Sequence, residues 1–380
     1  MDKLLLKDLK SNLYRGLKLI RMLTFDRNAT IGPIRIDIAA TSACSYKCCF
    51  CDSHSYLKAD CVEPIFMNDE IIHDLFIDLK RLHVKELFFS GNGEPLLSKA
   101  LINEIIRNGK NFKIEVLTNG SVLDSIDEEV FNNLSVLTIS INSGNGASHQ
   151  ITHGYKGENK FGETVKHIER ILAFPNANNK LKLNYVITSD NYDEIEDFFK
   201  MAIRWDVSFM ARPVSTDFPE LQVKGLNHAM LDSLNERVTQ YLTTKNLSSK
   251  LSLSLQLVGR ACQIAYEQLE GNSNPYPCYI GFIQGYVGSN GDVLLCCEGH
   301  EKPLGNLNEE SFLSIWQKKE NRALRIMATQ MHKTNKPIFS DCRDCTNVRY
   351  HSLAFHNIYS RIPVLPKLLE NQNRKVNSSN

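Results

Sequence analysis

The sequence predicts an α/β protein: a parallel sheet curled into an open (β/α)6 partial barrel, followed by a smaller cysteine-bearing extension. Two observations predict it. From Ile34 to Arg212, six short apolar runs alternate with stretches of helical periodicity, the pattern of βα units joined by right-handed crossovers. After Pro213 that rhythm stops, and six of the eleven cysteines stand beyond residue 260.

Taken in order, residues 1–30 place Leu5, Leu6, Leu9, Leu13, Leu17, Ile20 and Leu23 at near-helical spacing with basic residues between them, an amphipathic helix packed on the domain. Strands are expected at 34–40, 86–90, 113–117, 136–141, 182–188 and 207–212, with helices at 69–83, 99–108, 126–134, 163–173 and 192–204. Gly109 ends the second of these helices as a C′ residue, a position that favours left-handed glycine. Ile195, Phe198, Phe199, Ala202 and Ile203 line one face of the last. Beyond Pro213 follow a helix at 226–244, a Ser/Leu alternation at 251–257, a hairpin whose Asn290-Gly291 pair favours a type I′ turn, and a helix near 310–327. The expected boundaries are 1–30 for the N-terminal helix, 31–215 for the barrel, 216–260 for a helical and strand connector, 261–350 for the cysteine-bearing unit, and 351–380 for a helix and a disordered tail.

Composition excludes several classes. With 44 Lys and Arg against 43 Asp and Glu, the net charge of +1 gives no reason to expect nucleic acid or an anionic membrane as partner. No apolar run is long enough to span a bilayer, and Lys3, Lys7, Asp8 and Lys10 interrupt the N-terminal leucines, so a cytoplasmic protein without signal peptide is expected. Eleven clustered cysteines in such a chain read as metal ligands before disulfides.

The first cluster follows the first strand directly. Cys44, Cys48 and Cys51 form Cys-x3-Cys-x2-Cys on one loop, enough thiolates for three irons of a [4Fe–4S] cluster with the fourth iron left open. The run Thr41-Ser42-Ala43-Cys44-Ser45-Tyr46-Lys47-Cys48-Cys49-Phe50-Cys51 resembles the signature of the radical S-adenosylmethionine (SAM) superfamily, with Phe50 in its aromatic position, Ser45 where many members have Asn, and Cys49 a bystander. A zinc knuckle is the competing reading; zinc takes four ligands, and the nearest histidine is His54.

Further motifs fit the resemblance. Ser90-Gly91-Asn92-Gly93-Glu94-Pro95 follows the second strand and resembles the family's Gly-Gly-Glu loop, which implies that Gly91, Gly93 and Glu94 meet the amino group of SAM. The bland alternative is a strand-to-helix turn with Glu94 in the first helical turn. Leu117-Thr118-Asn119-Gly120 ends the third strand as in many members. The resemblance also implies that Ser140, ending the fourth strand, faces the ribose or carboxylate of SAM, and Arg212, ending the sixth, is a candidate partner for a carboxylate.

In the second cluster, Cys278, Gly291 and Cys296 are spaced as in the SPASM/twitch extension of radical SAM enzymes, with Gly305-Asn306 and Ser314-Ile315-Trp316 as its companions and Cys342-x2-Cys345 beyond. One auxiliary [4Fe–4S] cluster on Cys278, Cys296, Cys342 and Cys345 is implied. Cys297 can replace Cys296, Cys262 can serve a variant site, and spacing alone also permits a four-thiolate zinc ribbon.

The resemblance covers residues 33–346 and implies a radical SAM oxidoreductase: reductive cleavage of SAM, then hydrogen abstraction from substrate by the 5′-deoxyadenosyl radical, with flavodoxin or ferredoxin as external electron donor. It assigns no catalytic side chain. The expected substrate is a small polar molecule such as a sugar or aminocyclitol. Cross-linking, epimerisation or oxidation of a ribosomally made peptide is the alternative, disfavoured by the lack of a leader-binding domain before Ile34. A non-enzymatic iron–sulfur or zinc module is the third reading, distinguished by the absence of SAM cleavage.

Overall fold

All six strands expected between Ile34 and Arg212 form: β1 Arg35–Ile38, β2 Glu86–Phe89, β3 Lys113–Thr118, β4 Val136–Ser140, β5 Leu181–Ile187 and β6 Ser208–Pro213. Between them run α2 Asp69–Arg81, α3 Lys99–Asn108, α4 Glu128–Asn133, α5 Gly146–His153, α6 Phe161–Leu172 and α7 Ile195–Trp205, after an N-terminal α1 Lys3–Thr24. The structure is a computed structural model and describes residues 3–24, 26, 28–51, 63–215, 219–270, 277–297, 299–331, 337–339, 342 and 345. The fold is α/β with a parallel-strand sheet that is open and not closed. Among the described residues, no helix is long and apolar enough to cross a membrane.

The chain divides into two compact units. The first is built from the described parts of Ala39–Met67 and Phe88–Asn272. Its strands pair in parallel, β3 with β4 (Val116 opposite Leu137), β4 with β5 (Ile139 opposite Leu183) and β5 with β6 (Leu183 opposite Phe209). The opposed side chains are buried, so the register that pairs them also fills the core. Helices α8 His228–Thr244 and α9 Ser249–Leu269 follow β6. Ser254 of α9 accepts a hydrogen bond from Phe209 N–H at 3.0 Å, which satisfies a donor on the edge strand.

The second unit combines the described parts of Met1–Ile38, Asn68–Leu87 and Ser273–Asn380. Here β1 pairs in parallel with β7 Gln284–Val287, which continues antiparallel to β8 Asp292–Leu294 and β9 Gly305–Asn306. Asp37, buried on β1, accepts from Arg35 Nε at 2.6 Å and from Gln284 Nε2 at 2.5 Å. Helix α1 buries Leu19, Met22 and Leu23, and Lys18 Nζ donates to Pro33 O and His83 O. After β9 come α10 Phe312–Gln317 and α11 Lys319–Ala328.

Three local expectations are corrected. The Ser/Leu alternation at 251–257 lies inside α9, because the longer pattern decides: Leu251, Leu255, Val258 and Cys262 recur at helical spacing and are buried. The Asn290-Gly291 hairpin is not type I′, which needs positive φ at both central residues. Only Gly291 has it (φ +88°), and Gly291 N–H donates to Gly288 O at 3.0 Å, so the turn centres on Ser289-Asn290 and Gly291 forms the bulge. Gly109 follows α3 with φ −55°, a right-handed value open to any residue. Its residue type comes from contact: a Cβ would lie 2.5 Å from Asn133 O. The Gly109→Ala variant should therefore lose about 1–3 kcal/mol by overpacking, where an uncrowded right-handed site would gain about 0.4–1 kcal/mol; denaturant unfolding reads the sign.

Candidate functional site

The cysteine loop starts where the chain leaves β1 and is pinned at its base by the segment that returns from it. Met67 N–H donates to Ala40 O at 3.0 Å, Ser42 N–H to Ile65 O at 2.9 Å, and the Thr41 hydroxyl to the same carbonyl at 2.8 Å. The Gly-x-Gly-Glu turn after β2 braces the loop from another side. Gly91 and Asn92 take left-handed backbone (φ +81° and +40°), which brings Gly93 so close that a Cβ there would collide with Ala43 O and lie 2.6 Å from Thr41 O. Glu94 N–H donates to Ala43 O at 2.7 Å.

Glu94 is 1% exposed, and both its carboxylate oxygens are engaged. Oε1 accepts from Leu96 N–H at 3.1 Å, capping the short turn Pro95–Leu97, and Oε2 accepts from Asn119 N–H at 2.7 Å at the end of β3. Burial pushes its carboxyl up to about 7 against these donors. The side chain that the sequence motif leads one to expect at the amino group of SAM fastens its own turn to β3.

Asn119 reaches on to the cysteines, with Nδ2 donating to Cys44 Sγ at 3.4 Å. The Tyr46 and Ser45 N–H groups bond the same sulfur. Burial pushes the Cys44 thiol up while these three donors pull it down. Cys48 is pushed well up by desolvation and then by the neighbouring Cys51, Cys44 and Cys49 thiols. Cys51 N–H donates to Cys48 O at 3.1 Å. Phe50 is half-buried within this turn, and Gly91 is exposed.

Beneath the loop lies a feature that sequence reasoning missed, the end of α5. Lys47 N–H donates to His153 O and Cys49 N–H to Thr152 O, each at 3.0 Å. Gly154 (φ +62°) leaves no space for a Cβ against Lys47 O. Tyr46 is buried, stacked on Tyr155 at 5.2 Å and edge-on to His153 at 5.1 Å; His149 and His153 have ring centroids 4.0 Å apart. The available signal was His149-x3-His153 followed by Gly154, one helix turn with its C-terminal glycine.

The remaining expected residues lie apart in their contacts. Ser140 Oγ accepts from Asn184 Nδ2 at 3.2 Å, and Arg212 is exposed on β6. Cys49 feels the charges of Lys224 and Asp190, which pair with each other. Cys61 lies outside the described residues. In the second unit, Cys278 receives Ile280 N–H on its sulfur, and burial, with Cys342 nearby, pushes its thiol up to about 12. Cys296, Cys297, Cys342 and Cys345 are half-buried. Cys262 is fully buried in α9, within the other unit. Among the described residues, no three His, Cys, Asp or Glu side chains converge as a single-ion site. An iron–sulfur cluster instead takes one thiolate at each iron. Sulfurs met by N–H donors, three of them at Cys44 and one at Cys278, have the surroundings such a thiolate requires.

Burial, and then each other's proximity in the case of His149, lowers His149 to about 3 and His153 to about 4. Both are neutral when folded but take up protons near pH 6.5 when unfolded. The unfolded chain therefore binds more protons between pH 6.5 and 4, and stability falls as pH drops through that window. Between pH 6.5 and 5 the pair should cost on the order of 2–3 kcal/mol. The double variant His149→Gln, His153→Gln should flatten this acid limb in urea titrations.

Residues 38–202 match the Radical SAM superfamily, and residues 278–346 match SPASM, an iron–sulfur cluster-binding domain. SuiB of Streptococcus suis bound to its precursor peptide SuiA is 20% identical with a TM-score of 0.56, over 76% of this chain and 65% of that one. SuiB bound to S-adenosylmethionine is 19% identical (TM-score 0.55) over 76% and 66%. BtrN in complex with AdoMet and 2-DOIA is 15% identical (TM-score 0.43) over 82% and 91%. The two SuiB likenesses are of fold, and the chain spans just under two thirds of the length of the peptide-bound SuiB. No curated protein matches. Two domain matches over the two cysteine regions establish that the chain belongs to the radical SAM superfamily and carries a C-terminal SPASM domain, which imply a [4Fe–4S] cluster, SAM and auxiliary iron–sulfur clusters as cofactors.

Proposed function

We propose that the chain holds a [4Fe–4S] cluster on Cys44, Cys48 and Cys51 and acts on its substrate by hydrogen-atom abstraction. The observation that carries this reading is the Cys44 sulfur, met by Asn119 Nδ2 and two backbone N–H groups on a loop braced by Gly93 and Glu94. When bound, the cluster and SAM supply the one-electron chemistry that breaks a carbon–sulfur bond and removes hydrogen from an unactivated C–H bond. The chain's own residues position and protect. Gly93 lets the turn approach the loop, Glu94 holds that turn, and Tyr46 with Tyr155 fills the space beneath with aromatic surface instead of water. A small one-electron carrier such as flavodoxin or ferredoxin is the proposed reductant. Cys278, Cys296, Cys342 and Cys345 are proposed to hold one auxiliary cluster, with Cys297 in place of Cys296 as the variant.

For the substrate, a small polar alcohol is the reading carried over from the sequence motifs. A ribosomally made peptide is the second reading, supported by the likeness in fold to SuiB, whose structure holds a precursor peptide. Cells of the source grown on deuterated nutrients provide both substrate classes. Peptide and small-molecule fractions offered separately to the reduced enzyme should place deuterium in 5′-deoxyadenosine from one of them, and no transfer from either would count against hydrogen abstraction.

Single Ala variants of Cys44, Cys48 or Cys51, reconstituted anaerobically, should lose 5′-deoxyadenosine formation, while Cys49→Ala keeps it. Iron content should be about eight per wild-type chain and fall to about four when Cys278, Cys296, Cys342 and Cys345 are all replaced by Ala. Full activity in Cys48→Ala would remove the first assignment, and one zinc with about four irons in wild type would replace the second with a zinc ribbon.

A further inference from the structure

Asn119, just beyond β3, is bonded to two acceptors at once. Its backbone N–H donates to Glu94 Oε2 at 2.7 Å, and its side-chain Nδ2 donates to Cys44 Sγ at 3.4 Å. Cys44, Glu94 and Asn119 all belong to one unit. Asn119 is half-buried, where a hydrogen bond is less diluted by water than on an open surface.

The orientation of its side-chain amide is decided at the other end. Oδ1 accepts from Ser121 N–H at 2.8 Å. Flipping the amide would set its NH2 against that N–H, donor against donor, and turn the oxygen's lone pairs toward the sulfur. The bonded arrangement therefore presents an N–H to Cys44. Two further contacts hold the turn in place. The Thr118 hydroxyl accepts from Gly120 N–H at 3.1 Å, and Ser121 Oγ is hydrogen-bonded to Ser45 Oγ at 2.6 Å, tying the turn to the residue after Cys44. Glu94, Ser121 and Ser45 thus hold a donor that is aimed at one sulfur.

Hydrogen bonds to the sulfurs are among the influences that set the reduction potential of an iron–sulfur cluster. A donor stabilises a ligand sulfur more as that sulfur gains negative charge, so it favours the reduced form. We propose that Asn119 is a positioning residue that acts through Cys44 to raise the reduction potential of the cluster, easing its reduction by the external donor. The proposal rests on the reading that Cys44, Cys48 and Cys51 hold that cluster. One electron from the external donor adds one negative charge to the cluster and its thiolates, and no bond to Asn119 is made or broken.

A redox titration of the full-length, anaerobically reconstituted protein tests this, followed by the electron paramagnetic resonance signal that changes when SAM is added, which separates this cluster from the auxiliary one. Asn119→Leu removes the donor at similar size. At a given potential its ratio of reduced to oxidised cluster should fall about tenfold, a midpoint lower by about 59 mV. Asn119→Asp keeps an oxygen for Ser121 N–H but sets a negative charge beside the sulfur, and its midpoint should fall further. A residue that only shaped the turn would lower Tm and leave the midpoint alone. In wild type made with asparagine carrying heavy nitrogen in its side-chain amide, the same signal should show a hyperfine coupling to that nitrogen, a readout that needs no variant to fold. An unchanged midpoint in Asn119→Leu, an upward shift in Asn119→Asp, or no nitrogen coupling in wild type would each overturn the proposal and leave the cluster assignment standing. A wild type with no SAM-sensitive signal would instead remove the assignment, and this proposal with it.

Discussion

A carboxylate with almost no access to water has to be met by donors, and the way Glu94 is met organises the cysteine-bearing end of its unit. One oxygen caps the turn it belongs to, and the other takes the Asn119 N–H at the end of the neighbouring strand. Its own N–H holds Ala43, the residue before the first cysteine. Three segments far apart in sequence are thereby fixed by one side chain and its peptide group. Removing that acceptor would strand buried N–H groups, whose cost is greater than the net worth of the bonds themselves. Gly93 is the steric half of the same constraint, because the turn sits too close to the loop for any Cβ.

The two cysteine regions use one local device. At Cys44 and at Cys278 the amide two residues on donates to the cysteine sulfur. A sulfur held this way carries negative charge more readily, in a setting where burial otherwise opposes it. The surroundings differ. Around Cys44 the bracing comes from Asn119, the Gly-Glu turn and the carbonyls that end α5, whereas the unit of Cys278 is organised by β1, β7 and the stacked pair of Trp316 and Arg325.

Much of this was legible because it rests on short-range pattern. Strand and helix positions followed from apolar periodicity, and the three thiols from spacing on one loop. What was missed depends on distant neighbours. Gly109 reads as a helix terminator until Asn133 is seen against it. The Asn290-Gly291 pair favours one turn locally, but the register of β7 against β8, with Gly288 N–H on Asp292 O, selects another. For Glu94 the sequence shows the turn it stands in, and its burial and its bond to Asn119 N–H at the end of β3 are visible only in three dimensions. His149 and His153 carried no signal of chemistry, since their part in the site comes through backbone carbonyls at 152 and 153 and through packing on Tyr46.

The division of the chain into two units also orders its biosynthesis. Residues 39–67 and 88–272 complete one unit before the ribosome reaches the rest of the other. One edge of strand β1 must wait for β7, and Asp37 for Gln284, 247 residues later. At about 5–20 residues per second, synthesis of 88–272 keeps that edge and Asp37 without these two partners for roughly 10–40 s. During that interval Leu19, Met22, Leu23, Ile36 and Ile38, all buried in the finished protein, belong to a unit that is still incomplete. Residues 3–38 thus depend on shelter until the segment from 273 onward is translated, long after they are.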